Sequence, residues 1–551
     1  MNTADDTYDV VILGTGLPGS ALAAILARHG ARVALIGAGT HPRPAFEETA
    51  IPYTSLLFRV LGERYDVPEL GRLAGWRSIR ENVTRNCGIG RTLGFVYHRA
   101  EGRLPEPADA GQIASPRLLP AEATLFRQDI DAYVFYTAIG YGATARQQAT
   151  VSEINAGADG VTVVTGRGET WRARYLVDAT GRESPLAEQV GLREEPPRLR
   201  HRSRTVATHM VNVRPFDEVA GHRYPAPQRW DQGTLHHLFD GGYLWITPFG
   251  NHRDAPNQVT SVGASLDPDR HPAGDDPEAQ LRALADRIPP VAEQLAGARA
   301  VQPWTSTPPR QYAAAPVTGE RWCLLADSVG YVDPFLSRSL VTGLESVNAF
   351  AWRLLAAVGD GDFAAERLQP IGRFQDQLTD GTDQLASMVF AALRDPLLWK
   401  SVLRIWEIGS LYGTMQLQDA FGRLQATGSD AALRDLENAK YLGSPFPTHD
   451  GYNELLAGAA AECAAVSAGE TQPGTAGSRI FARLAGADFV PPALGLADPT
   501  TRHYHPTPLR MARFVAWSRR TAPADIGSLV GSALPGLARP RRRSHKLREE
   551  Q

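Results

Sequence analysis

The sequence predicts an α/β fold in which a parallel sheet flanked by helices carries an inserted antiparallel β-sheet domain and precedes a C-terminal helical region. Three observations predict it. Over residues 8–36 an apolar strand, a glycine-rich turn, a helix and a second apolar strand follow one another, as in a βαβ unit. A second strand-rich stretch covers residues 200–270, and helical periodicity dominates after residue 277.

Each element rests on a local pattern. Residues 8–13 are mostly apolar, as in a buried parallel strand, and residues 21–29 have helical spacing that ends at Gly30. Residues 32–36 are the second apolar strand, and alternation over 151–177 predicts an antiparallel meander that returns to the main sheet. Helices are predicted over 277–297, 339–357, 364–426 and 450–468, with a loop over 467–477.

Composition excludes several classes of function. The 551 residues, 43% apolar and 21% charged, allow two to four globular units. A net charge of −3 does not support nucleic-acid binding, and the basic run 539–546 is interpreted as a solvated tail. The three cysteines lack metal-ligand spacing, so we expect no metal. We also expect a cytoplasmic protein with no membrane partner, since neither a signal-peptide pattern nor a long apolar stretch occurs.

The first chemical motif is Gly-Thr-Gly-Leu-Pro-Gly, with its glycines at Gly14, Gly16 and Gly19 between the first strand and helix. Glycines at these spacings let the turn close and let the backbone approach a pyrophosphate at the helix N-terminus. This context predicts a Rossmann-like dinucleotide-binding domain. The second strand ends at Gly37 instead of an acidic residue, so Arg43 or a backbone atom is expected to hold the ribose.

Two further motifs end strands with small residues. One runs over 175–181 and ends at Gly181; the other runs over 323–334 and contains Asp327, Gly330 and Pro334. Small side chains are needed where a loop passes close to a cofactor, and Asp327 is placed to accept hydrogen bonds from hydroxyl groups. The segment after Pro334 is expected to bring a helix N-terminus to the cofactor.

These three motifs, in this order, resemble the FAD-binding signature of the p-hydroxybenzoate hydroxylase-like flavoproteins. Arg127 falls where that family has an arginine that contacts the cofactor. The resemblance implies FAD as cofactor, with Asp327 on the ribityl hydroxyls. It also implies an FAD-binding domain over 1–195 and 300–360, a β-sheet substrate domain over 196–299 and a helical region over 361–551.

Over nearly its whole length the chain resembles the flavin-dependent halogenases more closely, especially the tetracycline-type halogenases. The matching segments are 127–133 (Arg-Gln-Asp-Ile-Asp-Ala-Tyr), 173–181 (Ala-Arg-Tyr-Leu-Val-Asp-Ala-Thr-Gly), 191–196 (Gly-Leu-Arg-Glu-Glu-Pro), 319–323 (Gly-Glu-Arg-Trp-Cys) and 492–495 (Pro-Ala-Leu-Gly). In that family, FAD reduced by a separate reductase reacts with oxygen and halide to give hypohalous acid. A lysine then delivers the halogen to an electron-rich ring.

The halogen-transfer lysine is missing from this sequence. Its position, shortly before Gly94-Phe95, falls on Gly90, and the first lysine of the chain is Lys400. Arg91 is adjacent, but its guanidinium stays protonated to about pH 12 and cannot supply a nucleophilic amine. Arg91 could still hydrogen-bond hypohalous acid.

Two other family motifs are altered. The Trp-x-Trp-x-Ile-Pro signature, thought to keep substrate away from the flavin, becomes Tyr-Leu-Trp-Ile-Thr-Pro over 243–248 and retains Trp245. The halide-side turn reads Asp-Pro-Phe-Leu-Ser-Arg-Ser over 333–339. Its last residue, Ser339, replaces the glycine that lets halide approach the backbone, whereas Ser337 is retained. The candidate catalytic residues are therefore Arg91, Trp245, Pro334 and Ser337.

Three hypotheses follow. The first is an FAD-dependent tailoring enzyme of halogenase ancestry that oxidises or hydroxylates a bulky aromatic or polyketide natural product. Its electrons would come from a separate flavin reductase or from direct NAD(P)H contact. The second is an active halogenase in which another group replaces the lysine. The third is a non-redox cyclase in which FAD is structural.

Overall fold

The computed structural model describes residues 7–99, 102–116, 119–308 and 311–534; the basic run 539–546 lies outside them. In chain order the strands are β1 (Thr7–Leu13), β2 (Val33–Ile36), β3 (Gly88–Gly90), β4 (Thr92–Tyr97), β5 (Ala110–Ala114), β6 (Glu122–Thr124), β7 (Thr144–Arg146), β8 (Val151–Gly157), β9 (Gly160–Thr165), β10 (Thr170–Asp178), β11 (Arg204–Val211), β12 (Gly233–Phe239), β13 (Gly242–Pro248), β14 (Thr260–Leu266), β15 (Arg299–Ala300), β16 (Thr305–Ser306), β17 (Tyr312–Ala313), β18 (Thr318–Gly319), β19 (Trp322–Leu324), β20 (Gly330–Tyr331) and β21 (His503–Tyr504).

The α-helices are α1 (Leu17–Arg28), α2 (Pro52–Arg64), α3 (Pro68–Gly71), α4 (Trp76–Asn82), α5 (Arg127–Gly140), α6 (Pro185–Val190), α7 (Phe216–Val219), α8 (Pro277–Asp286), α9 (Pro289–Leu295), α10 (Arg338–Asp360), α11 (Ala365–Ala392), α12 (Pro396–Thr427), α13 (Ala431–Leu436), α14 (Asp450–Ser467), α15 (Pro473–Gly486), α16 (Pro508–Arg520) and α17 (Ala524–Ala533).

The first sheet is the predicted Rossmann-like sheet. Within the described residues its main path is β18-β19-β10-β1-β2-β7, and β1 lies parallel to both β10 and β2. Strands β8, β9 and β10 form the antiparallel meander predicted over 151–177. The carboxyl ends of β1, β2, β10 and β19 therefore meet at one edge, where ligands of such sheets bind. The predicted fold class is confirmed.

The second sheet follows the path β15-β11-β14-β13-β12-β4-β5-β21, with β16 also paired to β11. Most of its pairs are antiparallel, as predicted, but β12 lies parallel to β4 and β21 lies parallel to β5. Strands β4 and β5 come from the segment assigned to the FAD-binding domain, and β21 comes from the helical region. The second sheet thus draws on all three predicted units, and the domain boundaries remain a prediction.

Prolines divide two of the predicted helices. The helix predicted over 277–297 is two helices, because Pro289 begins α9. The helix predicted over 364–426 is also two, because Asp395 caps the N-terminus of α12 and Pro396 is its first residue. The loop predicted over 467–477 is shorter, since α15 begins at Pro473. The largest apolar core joins α1, α2 and α10 to the C-terminal helices, so the helical region packs directly on the Rossmann-like domain.

Candidate active site

The glycine-rich turn after β1 is packed so closely that two of its glycines are sterically required. Gly14 has φ +98°, and a Cβ there would lie 2.3 Å from the Ala179 carbonyl oxygen. A Cβ on Gly19 would lie 2.2 Å from the Gly14 carbonyl oxygen, so Gly19 sets the approach of α1 to the strand. At Gly16, by contrast, a Cβ would meet no atom within 4 Å. Gly16 thus leaves open space at the N-terminus of α1, where a phosphate can bind.

The end of β2 has no room for the acidic residue that the sequence lacks. A Cβ on Gly37 would lie 2.6 Å from Thr15 Cγ2, and Thr15 is fully buried. Arg43, the predicted alternative, faces the same cavity, and burial lowers the pKa of its guanidinium. The geometry is consistent with a cofactor held at this end by Arg43 and backbone atoms.

The second and third motifs are joined by hydrogen bonds. Asp178, at the end of β10, accepts hydrogen bonds from Thr180 Oγ1 at 2.6 Å and Ser184 Oγ at 2.7 Å. Gly181, with φ +75°, donates its N–H to Ser328 Oγ at 2.8 Å. Asp327 precedes Ser328, so the two motifs meet at the carboxyl edge of the sheet.

These motifs surround one cavity of about 1700 Å³. Ligand pockets commonly have volumes of about 300–1,000 Å³, so this cavity can hold more than one drug-sized molecule. Nine predicted site residues line it: Gly14, Gly16, Arg43, Arg127, Gly181, Trp245, Asp327, Pro334 and Ser337. The open cradle at Gly16, the helix N-terminus and this volume fit a dinucleotide of the size of FAD with space for a substrate beside it.

Arg127 supports the wall of the cavity. It is buried and forms an ion pair with Asp131, with Nε 2.8 Å from Oδ1 and Nη2 3.1 Å from Oδ2. Its Nη1 also donates to the carbonyl oxygens of Phe46 at 2.9 Å and Glu47 at 3.3 Å. Arg127 therefore holds the 46–47 loop, which itself lines the cavity.

Three predicted residues do not line the cavity. Gly19 lies under the turn, and Gly330 lies in β20, where a Cβ would meet Thr379 Cγ2 at 2.7 Å. Arg91, for which a hydrogen bond to hypohalous acid is expected from the sequence, is the third of these residues. Its backbone N–H bonds the Gln232 carbonyl at 2.7 Å, and its Nη1 donates to the carbonyl oxygens of residues 116 and 119 at 3.3 and 3.2 Å. These bonds hold the guanidinium against Pro116 and Leu119.

The altered signature forms part of the cavity wall. Trp245 lies opposite Gly263 in the β13–β14 pair, and a Cβ on Gly263 would lie 2.2 Å from Trp245 Cζ2. Gly263 therefore leaves the space that the indole ring needs, and Trp245 Nε1 donates to Ser261 Oγ at 3.2 Å. Ser337, at the start of α10, has a left-handed backbone with φ +62°. Pro334 begins the same turn.

Sequence reasoning missed an acidic pair at the cavity. Glu47 and Asp327 both line it, and Ser339 Oγ donates to Asp327 Oδ1 at 3.3 Å. Burial and the Asp327 carboxylate raise the pKa of Glu47, and burial raises the pKa of Asp327. Glu47 has φ +70°, a conformation that favours glycine. The two consecutive glutamates at 47 and 48 were the only sequence signal for this acidic pair. The sequence could not show that Glu47 lies near Asp327, because that depends on the fold.

A second missed pair is Glu48 and His209. His209 Nε2 lies 3.0 Å from Glu48 Oε1, and both side chains are buried. Glu48 lines the cavity, whereas His209 is packed among Phe46, Phe126 and Phe249. A carboxylate paired with an imidazole can hold or move a proton, so this pair is a candidate acid–base group. No group of three or more His, Cys, Asp or Glu side chains suited to a metal ion occurs in the described part of the chain.

The fold and the cavity define an FAD-binding enzyme of the oxidoreductase class. No protein-family model matches the chain. It is 40% identical to tetracycline 7-halogenase of Kitasatospora aureofaciens, with 96% of this chain and 97% of the relative covered. It is 36% identical to monodechloroaminopyrrolnitrin halogenase PrnC of Pseudomonas fluorescens, with 94% and 93% covered. The chain therefore belongs to the flavin-dependent halogenase family.

Solved structures agree with this assignment. Halogenase PltM in complex with phloroglucinol and FAD superposes with a TM-score of 0.87 at 28% identity, covering 90% of this chain and 99% of PltM. The similarity to hydroxylases is more local: aklavinone 12-hydroxylase DnrF of Streptomyces peucetius subsp. caesius is 31% identical over 37% of this chain. Across the described residues, no helix has the length and apolar character needed to cross a membrane.

Proposed function

We propose that this protein oxidises or hydroxylates a bulky aromatic or polyketide natural product with FAD, without lysine-mediated halogen transfer. The observation that carries the proposal is the composition of the cavity wall. Residues from all three cofactor motifs line the cavity, and none of the described lining residues is a lysine. Lys400 lies elsewhere on α12, and Lys440 pairs with Asp450 at the surface.

The packing around Gly90 supports the proposal that this chain works without the halogen-transfer lysine. Gly90 pairs with Glu122 between β3 and β6, and a Cβ there would lie 3.1–3.2 Å from backbone atoms of Glu122 and Ala123. A larger side chain at this position therefore requires a small backbone shift. Arg91 supplies no substitute, because it does not line the cavity and its Nη1 donates to the carbonyl oxygens of Pro116 and Leu119.

Two carboxyl groups lie beside the turn that the family resemblance assigns to halide. The Glu47 and Asp327 carboxyl groups face the cavity beside Ser339. A carboxylate repels an anion, and the repulsion is larger where water is excluded. An ionised carboxyl group of this pair would therefore disfavour halide at the turn.

The rest of the cavity suits a neutral, hydroxyl-bearing ring system. Thr49, Thr234 and Thr247 form a row, with Oγ1 atoms 2.6 and 2.9 Å apart, and all three line the cavity with Trp245. Threonine hydroxyls both donate and accept, and aromatic walls stack on rings. Three of the relatives support this substrate class, since two are named for tetracycline and aklavinone and a third is a putative polyketide hydroxylase.

When bound at the three cofactor motifs, reduced FAD would supply the two electrons for the activation of dioxygen. One oxygen atom enters the substrate, and the other leaves as water with two electrons and two protons. The protein binds and orients the ring, limits the access of water, and can hold a proton on the Glu48–His209 pair. Only one glycine-rich nucleotide turn follows a strand in the sequence, so a separate flavin reductase is proposed as the electron source.

The test is incubation of the purified protein with FAD, a flavin reductase, NADH, oxygen, and chloride or bromide, with phenolic polyketides as acceptors. We expect products heavier by one oxygen atom, with ¹⁸O incorporated from ¹⁸O₂ and no halogen isotope pattern. Gly90→Lys tests the missing amine, and Gly90→Ala is its steric control. Halogenated products from the unmodified protein would overturn the proposal, and so would turnover without oxygen and reductant.

A further inference from the structure

A second, smaller cavity lies behind the first turn of α10. It has a volume of about 80 Å³ and is lined by residues of α2, α10, α11, α12 and α13 and of the 442–447 segment. We call it the small cavity. Ser337 and Leu340 line the large cavity, where the cofactor motifs meet. Arg338 and Val341, on the same turn, line the small one. The start of α10 is therefore a wall between the two cavities.

Arg338 brings a buried positive charge to the small cavity. The residue is 8% exposed, and its Nη2 donates to the Gly443 carbonyl oxygen at 3.3 Å. Among the described residues this is the one hydrogen bond of its side chain, and it forms no ion pair with any of them. A guanidinium carries several N–H donors in a planar fork, and buried charges in proteins are normally paired. Most donors of Arg338 are therefore available to a ligand in the cavity.

The carboxyl group of Glu345 lines the same cavity, further along α10. Its Oε1 accepts from Tyr53 OH at 2.7 Å, and its buried Oε2 has no hydrogen-bond partner among the described residues. Burial raises the pKa of Glu345 against the opposing effect of Arg338, which favours the protonated carboxyl group. A protonated Glu345 leaves the Arg338 charge without a counter-charge. The other carboxyl group that lines the cavity, Glu437, is held by Arg64 at 2.8 Å.

We propose that the small cavity binds a small carboxylate anion, of the size of formate or acetate, on the Arg338 side chain. A carboxylate accepts paired N–H bonds from the guanidinium fork, and protonated Glu345 can donate another hydrogen bond to it. A cavity needs at least about 10–15 Å³ to hold one water molecule, so a volume of about 80 Å³ has room for formate or acetate. The bound anion fixes the first turn of α10. The site is independent of the reaction proposed above.

The rest of the lining favours this class of ligand over water and over a spherical anion. Water would fill the cavity but leave the buried charge of Arg338 uncompensated, which is costly. A spherical anion would neutralise the charge but does not match the planar fork of the guanidinium. Leu57, Phe374 and Trp406 also line the cavity, and their apolar surfaces suit the C–H or methyl end of a small carboxylate.

The experiment measures the thermal midpoint of the FAD-loaded protein in chloride-free buffer as sodium formate is added, with sodium chloride at equal ionic strength as the comparison. We expect the midpoint to rise with formate and then to saturate, because a ligand of the folded state stabilises it by mass action. Chloride should need an at least about tenfold higher concentration for half of the same rise. The ¹³C line width of labelled formate measures binding to the folded protein directly.

Two variants locate the site. Arg338→Met, which removes the guanidinium, and Ser410→Leu, which fills the cavity from α12, should each weaken formate binding at least about tenfold. Arg404→Met is the control for the loss of a buried arginine. Arg404 is 3% exposed and pairs with Glu407 but does not line the cavity, so this variant should lose stability and keep the formate effect.

Three results would overturn the proposal. The first is the absence of a saturable formate effect in the unmodified protein, which would leave the cavity to water. The second is equal affinity for formate and chloride, which would exclude recognition of a carboxylate. The third is unchanged formate binding in Arg338→Met or Ser410→Leu, which would place the anion elsewhere. If Arg338→Met does not fold, Ser410→Leu alone decides the location.

Discussion

Alanine substitutions at Gly14 and Gly16 should have different effects: Gly14→Ala should lower stability, and Gly16→Ala should weaken FAD binding. At Gly14 the backbone has φ +98° and a Cβ would lie 2.3 Å from the Ala179 carbonyl oxygen. A left-handed backbone costs an L-residue about 1–2 kcal/mol, and overpacking costs about 1–3 kcal/mol more. Gly14→Ala should therefore lower the free energy of unfolding by about 2–5 kcal/mol.

Gly16→Ala should behave differently, because Gly16 has φ −71° and ψ 177° and a Cβ there meets no protein atom within 4 Å. Alanine restricts the unfolded chain and should stabilise the FAD-free protein by about 0.4–1 kcal/mol. The added methyl group extends into the space open to a phosphate, so FAD affinity should fall at least about tenfold, or 1.4 kcal/mol.

Urea unfolding of the FAD-free variants measures stability, and quenching of flavin fluorescence on titration measures affinity. Wild-type affinity in Gly16→Ala would refute the placement of the cofactor phosphate at this turn. An unchanged urea midpoint in Gly14→Ala would refute the steric reasoning. Loss of FAD binding in a folded Gly16→Ala protein is the informative result, because a general folding defect cannot produce it.

Three further predictions concern charge and helix capping. The raised pKa of Glu47 means that the folded protein keeps a proton that the unfolded chain has lost, so stability falls as pH rises above the usual carboxyl range. The urea midpoint of FAD-free Glu47→Gln should therefore exceed that of wild type near pH 8 and approach it near pH 5; a constant difference would contradict this. Asp131→Asn leaves the Arg127 charge buried without its ion pair and should cost about 3–5 kcal/mol in urea unfolding, and a cost below about 1 kcal/mol would argue against that pairing. Asp395→Ala removes the N-cap that accepts from the Leu397 N–H at 2.8 Å and should cost about 1 kcal/mol, whereas Asp395→Asn should retain most of the stability.

The elements that sequence analysis predicted well are those with local signals. Strands β1 and β2, helix α1 and the meander β8–β10 end within a few residues of their predicted bounds, because apolar runs and glycine turns occur within the elements themselves. The division of the 364–426 helix was missed, although Asp395-Pro396 is a local start signal for a helix.

Pairing between distant segments could not be predicted in this way. Strand β4 joins the second sheet through β12, about 140 residues later in the chain, and β21 joins it through β5, about 390 residues earlier. No periodicity within a strand identifies such a partner, because register depends on which faces are buried together. For the same reason, the sequence could not show that Arg91 hydrogen-bonds the carbonyl oxygens of Pro116 and Leu119 and does not line the cavity.

By itself, the sequence determined the three cofactor motifs, their order and the absence of a lysine before Lys400. These are properties of residue type and spacing along the chain, so they need no knowledge of packing. Only the tertiary structure decided that Glu47 faces Asp327 and that the Tyr243 hydroxyl reaches Asp333, 90 residues away. The physical reason is that burial and hydrogen bonding between distant residues arise when the Rossmann-like domain and the second sheet close around one cavity.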